Sequence, residues 1–355
     1  MRSDDLFTLD QMLRLAPVAP TPDTHRAALI GLILPLLDAA LDTGEQDFGW
    51  HLDRLCRAIS LGQAQAFFDG YGRLCGCALW THADAAAGRL LMARGPRALA
   101  AAQLATQGAP WLLEMRSLFG SPSPLLAALN ERAFADAEDV TYFRHVRGRR
   151  LVKQVTVDDR ARFARGRGTP RADDKARFLA TAEGQALLLE TTAGIERAVE
   201  RGHALCLLRK SAHVAALPLV RALQRLNVPL GLGQARLQVS PAGVPLALLT
   251  WAWLDDERLS EFQGRMPESL SRAEWNEGGR LCVCDAVATG EGRDWLAGEL
   301  SGRWLPGEAI HLLPVWQGDG PGPARRWDAA ERRGFDLANL GPARREVAGL
   351  LVDAA

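Results

Sequence analysis

The sequence has no net charge and very little lysine. Its 355 residues contain 42 acidic and 42 basic side chains, and the only lysines are Lys153, Lys175 and Lys210. A balanced charge excludes the gross electrostatic attraction that a strongly basic chain has for nucleic acid. We therefore expect no nucleic-acid partner, and we interpret the preference for arginine as compositional bias.

Long apolar runs are also missing. The most apolar stretch, residues 27–37, is about half the length that spans a bilayer, and it contains Pro35. The start of the chain carries Asp4 and Asp5, where a secretory signal has a basic region followed by an apolar one. These features predict a cytoplasmic protein without stable membrane insertion.

Cysteine is too sparse for a disulfide scaffold, because the whole chain has six. Cys75 and Cys77 are separated by a single residue in an alternating apolar segment, as are Cys282 and Cys284. In a strand this spacing puts both cysteines of a pair on one face. Neither pair is accompanied by cysteine or histidine at a spacing typical of metal ligands. We predict buried structural thiols and no metal site.

Part of the sequence occurs twice, in a chain long enough for two domains. A shift of 171 positions places residues 61–64, Leu-Gly-Gln-Ala, on residues 232–235. The same shift pairs rarer residues further along, namely Gly72 with Gly243, Trp80 with Trp251, Asp84 with Asp255, Gly108 with Gly279, and Glu114 with Asp285. We interpret the chain as two tandem copies of one unit.

Each copy has the pattern of a helix followed by a β-hairpin. In the second copy, residues 234–240 and 244–253 alternate as strands around a glycine-bearing turn. A buried strand at 281–285, a helix at 294–304 and a strand at 309–316 are predicted to follow. The predicted class is α+β (mixed α/β), with a hairpin-containing central sheet in each domain flanked by helices.

A basic segment separates the copies. Residues 144–177 hold twelve Lys or Arg against four Asp, and they include a stretch rich in glycine and arginine at 165–170. A solvated linker is the favoured interpretation, and a phosphate-binding loop is the alternative. The predicted division of the chain is residues 1–150, a basic linker at 151–178, residues 179–330, and a helical tail at 331–355.

The second copy resembles a known family. The motifs that carry the resemblance are residues 202–203, 211–213, 243–247, 250–254 and 275–278, together with Pro229, Gln234 and Asp285. In this order and rough spacing they resemble the RTX toxin-activating lysine acyltransferases, most strongly over residues 202–290. Residues 214–216, Val-Ala-Ala, depart from the more aromatic and polar residues usual there, and usual members are half this length.

The resemblance implies an acetyltransferase-like fold and transfer of a fatty acyl group to a lysine amine. It implies acyl carrier protein as donor, with acyl coenzyme A less expected and no bound cofactor, and a protein toxin as acceptor. The duplicated architecture adds a ribosomally made peptide as another expected acceptor. It places His213 at the position of the catalytic histidine and Asp285 at that of the catalytic aspartate. The basic segment then has a further interpretation, as a docking surface for the acidic carrier.

The chemistry itself requires a base. A lysine amine with a pKa of about 10.4 is almost wholly protonated at neutral pH, so a group such as His213 must remove a proton before attack on the thioester. Asp285 would hold the imidazole in one tautomer. The opposing interpretation makes His213 a structural residue and Asp285 a cap or turn residue. Gln234 and Trp251 are predicted to be structural, and His203 has no assigned role.

The first copy lacks the histidine. The position 171 residues before His213 is Asp42, and neither His51 nor His82 replaces it by alignment. We predict that residues 1–150 form a degenerate, non-catalytic domain and that the chain is a monomer acting as an internal pseudo-dimer. Two other functions stay open: a coenzyme A-dependent N-acetyltransferase, for which no convincing pyrophosphate loop is found, and a non-catalytic module that binds an acyl carrier or a peptide.

Overall fold

The chain forms two compact units, each built around its own sheet. The computed structural model describes residues 6–14, 16, 20–38, 46–69, 72–118, 122–146, 149–156, 159, 182–262, 270–312, 316–317, 320–321, 325–333 and 350–352. The first unit comprises residues 1–41 and 50–202, and the second comprises residues 42–49 and 203–355. The assignment of separate roles to residues 1–150 and 179–330 stays a prediction.

The first unit contains a five-stranded sheet. Its helices are α1 (Leu9–Leu13), α2 (Pro22–Asp38), α3 (Phe48–Ser60, which begins in the second unit), α4 (Ala85–Arg94) and α5 (Ser123–Arg132), with a 3-10 turn at Pro96–Ala98. Its strands are β1 (Ala64–Phe68), β2 (Leu74–Ala83), β3 (Ala109–Ser117), β4 (Asp139–Val146) and β5 (Arg149–Thr156). The strands follow one another across the sheet in chain order, antiparallel except for the parallel pair β3 and β4.

The second unit contains a six-stranded sheet. Its helices are α6 (Ala182–Leu208, which begins in the first unit), α7 (Ala212–Ala215), α8 (Leu219–Leu232), α9 (Asp256–Phe262), α10 (Gly292–Gly298) and α11 (Ala329–Arg333). Its strands are β6 (Ala235–Val239), β7 (Pro245–Leu254), β8 (Arg280–Ala288), β9 (Ile310–Leu312), β10 (Trp316–Gln317), β11 (Gly320–Pro321), β12 (Arg325–Trp327) and β13 (Leu350–Val352). Six of these strands form the sheet, in the order β12-β9-β8-β7-β6 with β13 pairing with β8. The other two, β10 and β11, pair with each other.

The two units repeat the same elements at the shift found in the sequence. The bounds of β6, β7 and β8 lie 171 positions after those of β1, β2 and β3. In both units the first three strands form an antiparallel meander that is followed by a parallel partner. The predicted α+β class is confirmed, and the architecture is compatible with two tandem acetyltransferase-like domains. Origin by duplication stays an interpretation.

Glycine fixes the corresponding turns. Gly62 and Gly233 follow helices α3 and α8 with φ values of 68° and 67°, and Gly72 and Gly243 lie in the hairpin turns with φ values of 78° and 88°. These backbone angles are left-handed, a region in which a side chain is strained. The predicted hairpin of the second copy is confirmed as the antiparallel pair β6 and β7.

Two predicted segment boundaries differ from the structure. The predicted linker at 151–178 overlaps β5, an edge strand whose basic and apolar side chains are mostly exposed. Charge on an edge strand opposes pairing with another chain, so the same residues suit a strand as well as a solvated linker. Residues 160–178, which include the arginine- and glycine-rich stretch, lie outside the described residues.

The C-terminal segment is only partly helical. Residues 331–333 end α11, but residues 350–352 form a strand that pairs in parallel with β8, so a wholly helical tail is wrong. Within α11, the buried side chain of Arg332 donates hydrogen bonds to backbone carbonyls of residues 299–308, among them Trp304 (2.7 Å) and Leu300 (2.9 Å). The guanidinium therefore supplies hydrogen-bond donors to carbonyls of residues 299–308. A helix end leaves such carbonyls without partners inside the helix.

The described helices include none with enough length and apolar character to cross a membrane.

Candidate functional site

A β-bulge places Asp285 in the second unit. Thr250 of β7 pairs with Asp285 of β8, but the next residue, Trp251, pairs with Val283, so Cys284 is the extra residue. Val283 and Ala286 pack in one apolar cluster of the sheet, whereas Cys284 packs in another. Because a bulge breaks the strict alternation of a strand, Asp285 leaves the face that regular alternation would give it.

The carboxylate of Asp285 is buried and held by two side chains. Arg225 of α8 donates from Nε to Oδ1 (2.9 Å) and Oδ2 (3.1 Å), and its Nη2 lies 2.8 Å from Oδ1. The hydroxyl of Thr250 donates to Oδ2 (2.9 Å). Asp285 is 2% exposed and Arg225 is 3% exposed, so the charges compensate each other away from water.

Asp285 also lies at the point along β8 where the neighbouring strand changes from β9 to β13. Residues 281–283 of β8 pair in parallel with β9, and residues 286–288 pair in parallel with β13. Cys284 and Asp285 lie between the two pairings, and among the described strands neither has a ladder partner on that edge.

His213 lies in the short helix α7, which begins after a capping residue. The Oγ of Ser211 accepts a hydrogen bond from the backbone N–H of Val214 (3.3 Å), as an N-cap does. The segment that follows is tied down by a hydrogen bond from the backbone N–H of Phe48 to the carbonyl of Leu217 (2.7 Å). The side chain of His213 lies outside the described side chains, so its contact with Asp285 stays a prediction.

The other histidines of the sequence analysis occupy structural positions. His203 is 3% exposed on α6, and His51 is 2% exposed on α3. The Nε2 of Gln63 lies 3.2 Å from Nδ1 of His82 and donates to the carbonyl of Ala105 (2.6 Å). Burial lowers the pKa of His82, which favours the neutral imidazole.

Gln234 also bridges parts of its own unit. Its Nε2 donates to Oδ1 of Asn276 (3.0 Å), and its backbone carbonyl accepts from the N–H of Trp251 (3.0 Å). Trp251 is buried in the core with Trp304, at a centroid distance of 4.6 Å. These contacts agree with the structural role predicted for Gln234 and Trp251.

The first unit repeats the buried ion pair. Arg54 of α3 donates from Nη1 to Oε1 of Glu114 on β3 (3.4 Å), and the two residues stand 171 positions before Arg225 and Asp285. The same bulge recurs, because Leu79 pairs with Glu114 and the next residue of β2 pairs with Leu112. Leu79 takes the place of Thr250, so this carboxylate has no hydroxyl donor at that position.

Sequence reasoning missed Arg225 and Thr250. The match of Arg54 with Arg225 lies just upstream of the first matched run at Leu61, so extending the self-comparison would have found the arginine. Thr250 begins one of the motifs of the resemblance, residues 250–254, but it was assigned no role of its own. Its role follows from the bulge, which sequence patterns do not show.

Four thiols are buried as predicted. Burial raises the pKa of Cys75 to about 11 and the pKa values of Cys77 and Cys282 to about 12, and it raises the pKa of Cys284 well above its ordinary value. A thiol must ionise to act as a nucleophile, so none of these four is suited to carry an acyl group as a thioester at neutral pH.

Iodoacetamide at pH 8 is expected to modify Cys56 and Cys206, which are only partly buried, well before Cys75, Cys77, Cys282 and Cys284. The reason is that access and ionisation both oppose reaction at the buried thiols. Peptide mass spectrometry over time measures the order, and chain unfolded in urea serves as the control in which all six react alike. Equal rates in the folded chain would contradict the buried placement.

Part of the chain is similar to a known family. No curated protein matches the chain. Residues 199–320, which contain His213, Arg225, Thr250 and Asp285 and make up about a third of the chain, match the HlyC, or RTX toxin acyltransferase, family. The resemblance found in the sequence is thereby confirmed for the second unit, and it supports acyltransferase activity.

Proposed function

We propose that the second unit transfers a fatty acyl group from acyl carrier protein to a lysine amine of a protein toxin or a ribosomally made peptide. The observation that carries the proposal is the match of residues 199–320 to the RTX toxin acyltransferase family. We propose His213 and Asp285 as the catalytic pair on the basis of the resemblance in the sequence. The first unit is proposed to be catalytically silent, since the position equivalent to His213 is Asp42.

His213 acts as the general base in this proposal. It takes the proton of the lysine ammonium and passes it to water, and the neutral nitrogen then attacks the thioester carbonyl to form the C–N bond. His213 next takes a second proton from this nitrogen. As the C–S bond breaks, the imidazolium returns the proton to the departing thiolate, so no net proton is left on the enzyme. Positioned proton transfer of this kind contributes about two to four orders of magnitude in rate.

Asp285 is proposed as the partner of His213. A carboxylate accepts about four hydrogen bonds, and the Nε–H and Nη2–H of Arg225 and the hydroxyl of Thr250 supply three donors. By this count one acceptor position remains for an imidazole N–H. Arg225 and Thr250 hold the carboxylate in a fixed position, which is what a group that orients a histidine needs.

The burial of four cysteine thiols supports direct transfer. A two-step route through an acyl-enzyme needs an ionisable nucleophile, and the raised pKa values of Cys75, Cys77, Cys282 and Cys284 argue against those thiols. With the amine as the attacking group, one base serves the whole reaction.

Intact-protein mass spectrometry tests the proposed activity. The purified chain is incubated with a lysine-containing candidate acceptor and either acyl-loaded carrier protein or the matching acyl coenzyme A. We expect the acceptor to gain one acyl mass with the carrier-bound donor and far less with coenzyme A. Faster reaction with acetyl coenzyme A would favour an N-acetyltransferase, and no transfer from any donor would favour a binding module.

A further inference from the structure

The second unit includes a short segment of the first copy. Residues 42–49 belong to the first copy by sequence, but in the structure they are part of the second unit. We propose that two residues of this segment, Phe48 and Gly49, are positioning residues that fix where α7 places His213. The proposal rests on the role of His213 as the base in the acyl transfer proposed above.

Helix α7 is too short to hold its own position. It has four residues, Ala212–Ala215, and a helix of about one turn is not stable without tertiary contacts. Its described side chains are buried, with Val214 2% exposed and Ala215 9% exposed. The place of His213 is therefore set by the residues that pack against α7 and against the segment after it.

A short joint connects α7 to α8. Only residues 216–218 separate the two helices, and Pro218 is the residue before α8 begins. Arg225 of α8 holds the carboxylate of Asp285, so these residues connect the helix of His213 to the proposed partner of the histidine. We call residues 216–218 the α7–α8 joint. Its conformation sets how α7 is placed relative to the buried carboxylate.

The segment of the first copy contacts the α7–α8 joint through its backbone. The N–H of Phe48 donates to the carbonyl of Leu217 (2.7 Å), and Asp47 forms an isolated bridge with Pro218. Phe48 is the first residue of α3, and the N–H groups at the start of a helix have no acceptor within the helix. The side chain of Phe48 is buried at 0% exposure, which keeps this donor in place.

Gly49 brings the start of α3 close to the end of α7. A Cβ atom at Gly49 would lie 3.1 Å from the carbonyl oxygen of Ala215 and 3.3 Å from the Cβ of Ala215, and it would lie 3.2 Å from Nε of Arg209. These distances are shorter than ordinary van der Waals contact. A side chain at this position therefore requires the last residue of α7 to move by a few tenths of an ångström.

The bridge joins corresponding positions of the two copies. Asp47 and Pro218 are 171 positions apart, which is the shift that relates the copies, and residues 42–49 correspond to residues 213–220. The first copy thus keeps the segment that corresponds to the catalytic helix, although Asp42 stands in place of the histidine. Such a segment cannot supply the base, but it can hold the helix that does.

Gly49→Val in the full chain tests the proposal, and Gly49→Ala is the milder variant. We expect kcat for acyl transfer to fall about tenfold or more and KM to change less than about twofold, because a displaced base slows the chemical step without removing a substrate contact. The ring signal of His213 in the NMR spectrum of histidine-labelled chain, identified by its loss in His213→Ala, should shift in both variants. Circular dichroism checks folding, and Gly49→Ala carries the test if Gly49→Val is unfolded.

Gly231→Ala is the matched control, because Gly231 is a glycine of α8 whose added Cβ would meet no described atom within 4 Å apart from its own helix. It should leave kcat and the His213 signal unchanged. A parent-like kcat or a parent-like His213 signal in Gly49→Val overturns the proposal, as would equal effects of Gly231→Ala. A parent without acyl transfer would refute the proposed function alone, since the NMR comparison still decides whether Gly49 fixes the surroundings of His213.

Discussion

Replacing His213 by alanine is expected to lower the rate of acyl transfer by about two to four orders of magnitude, the contribution of a positioned general base. The acceptor amine is protonated at neutral pH, and without a base its neutral fraction is too small for efficient attack. The parent rate should also rise with pH through the range in which histidine titrates and then level off, whereas the slow rate of the variant should keep rising with the neutral fraction of the amine. Initial rates by mass spectrometry at several pH values measure both effects.

His25→Ala is the control for this experiment. His25 lies on α2 outside the matched segment, partly exposed and 3.3 Å from Asp10, so its loss should leave acyl transfer unchanged. Far-ultraviolet circular dichroism of both variants checks that each remains folded. Equal rates in the parent and in His213→Ala would refute His213 as the base and would remove the main support for the catalytic pair.

Much of the second unit could be predicted from the sequence because its signals are local. Alternation of apolar residues on both sides of Gly243 is enough to predict the hairpin, and β6 and β7 lie within one or two residues of the predicted strands. The buried strand at 281–285 was also predicted, though β8 extends three residues further. Such patterns follow directly from the two-residue repeat of a strand.

The surroundings of Asp285 could not be predicted in the same way. Regular alternation would put Asp285 on the face of Leu281 and Val283, in the apolar core, where a charge is unfavourable. The bulge at Cys284 removes this conflict, but it depends on how β8 pairs with β7, which is a long-range property. For the same reason the contact with Arg225, 60 positions away along the chain, carried no local signal.

The basic charge of the segment between the two copies favoured its interpretation as a linker, although part of this segment forms strands. Arg144, Arg150 and Lys153 suggest a solvated linker, yet they are exposed residues of β4 and β5. An edge strand needs only one neighbour and tolerates charge on its free side. Composition alone does not separate these two environments.

Arg225→Gln is expected to lower the free energy of unfolding of the second unit by about 3–5 kcal/mol, because it leaves the buried carboxylate of Asp285 without its ion-pair partner. Arg54→Gln should cost the first unit less. Arg97 and Arg116 lie within 4.0 Å of Glu114 and still compensate its charge when Arg54 is lost. Urea unfolding followed by tryptophan fluorescence measures both, and a smaller loss in Arg225→Gln than in Arg54→Gln would contradict this account.

A second substitution separates stability from catalysis at this site. If the cost of Arg225→Gln comes from an unpaired buried charge, then Asp285→Asn added to it should recover part of the lost stability, since both charges are now absent. The proposed catalysis predicts no such recovery of acyl transfer, because the asparagine cannot stabilise an imidazolium. Recovery of both properties in the double variant would make the pair of Arg225 and Asp285 purely structural, and His213 would then require a different partner.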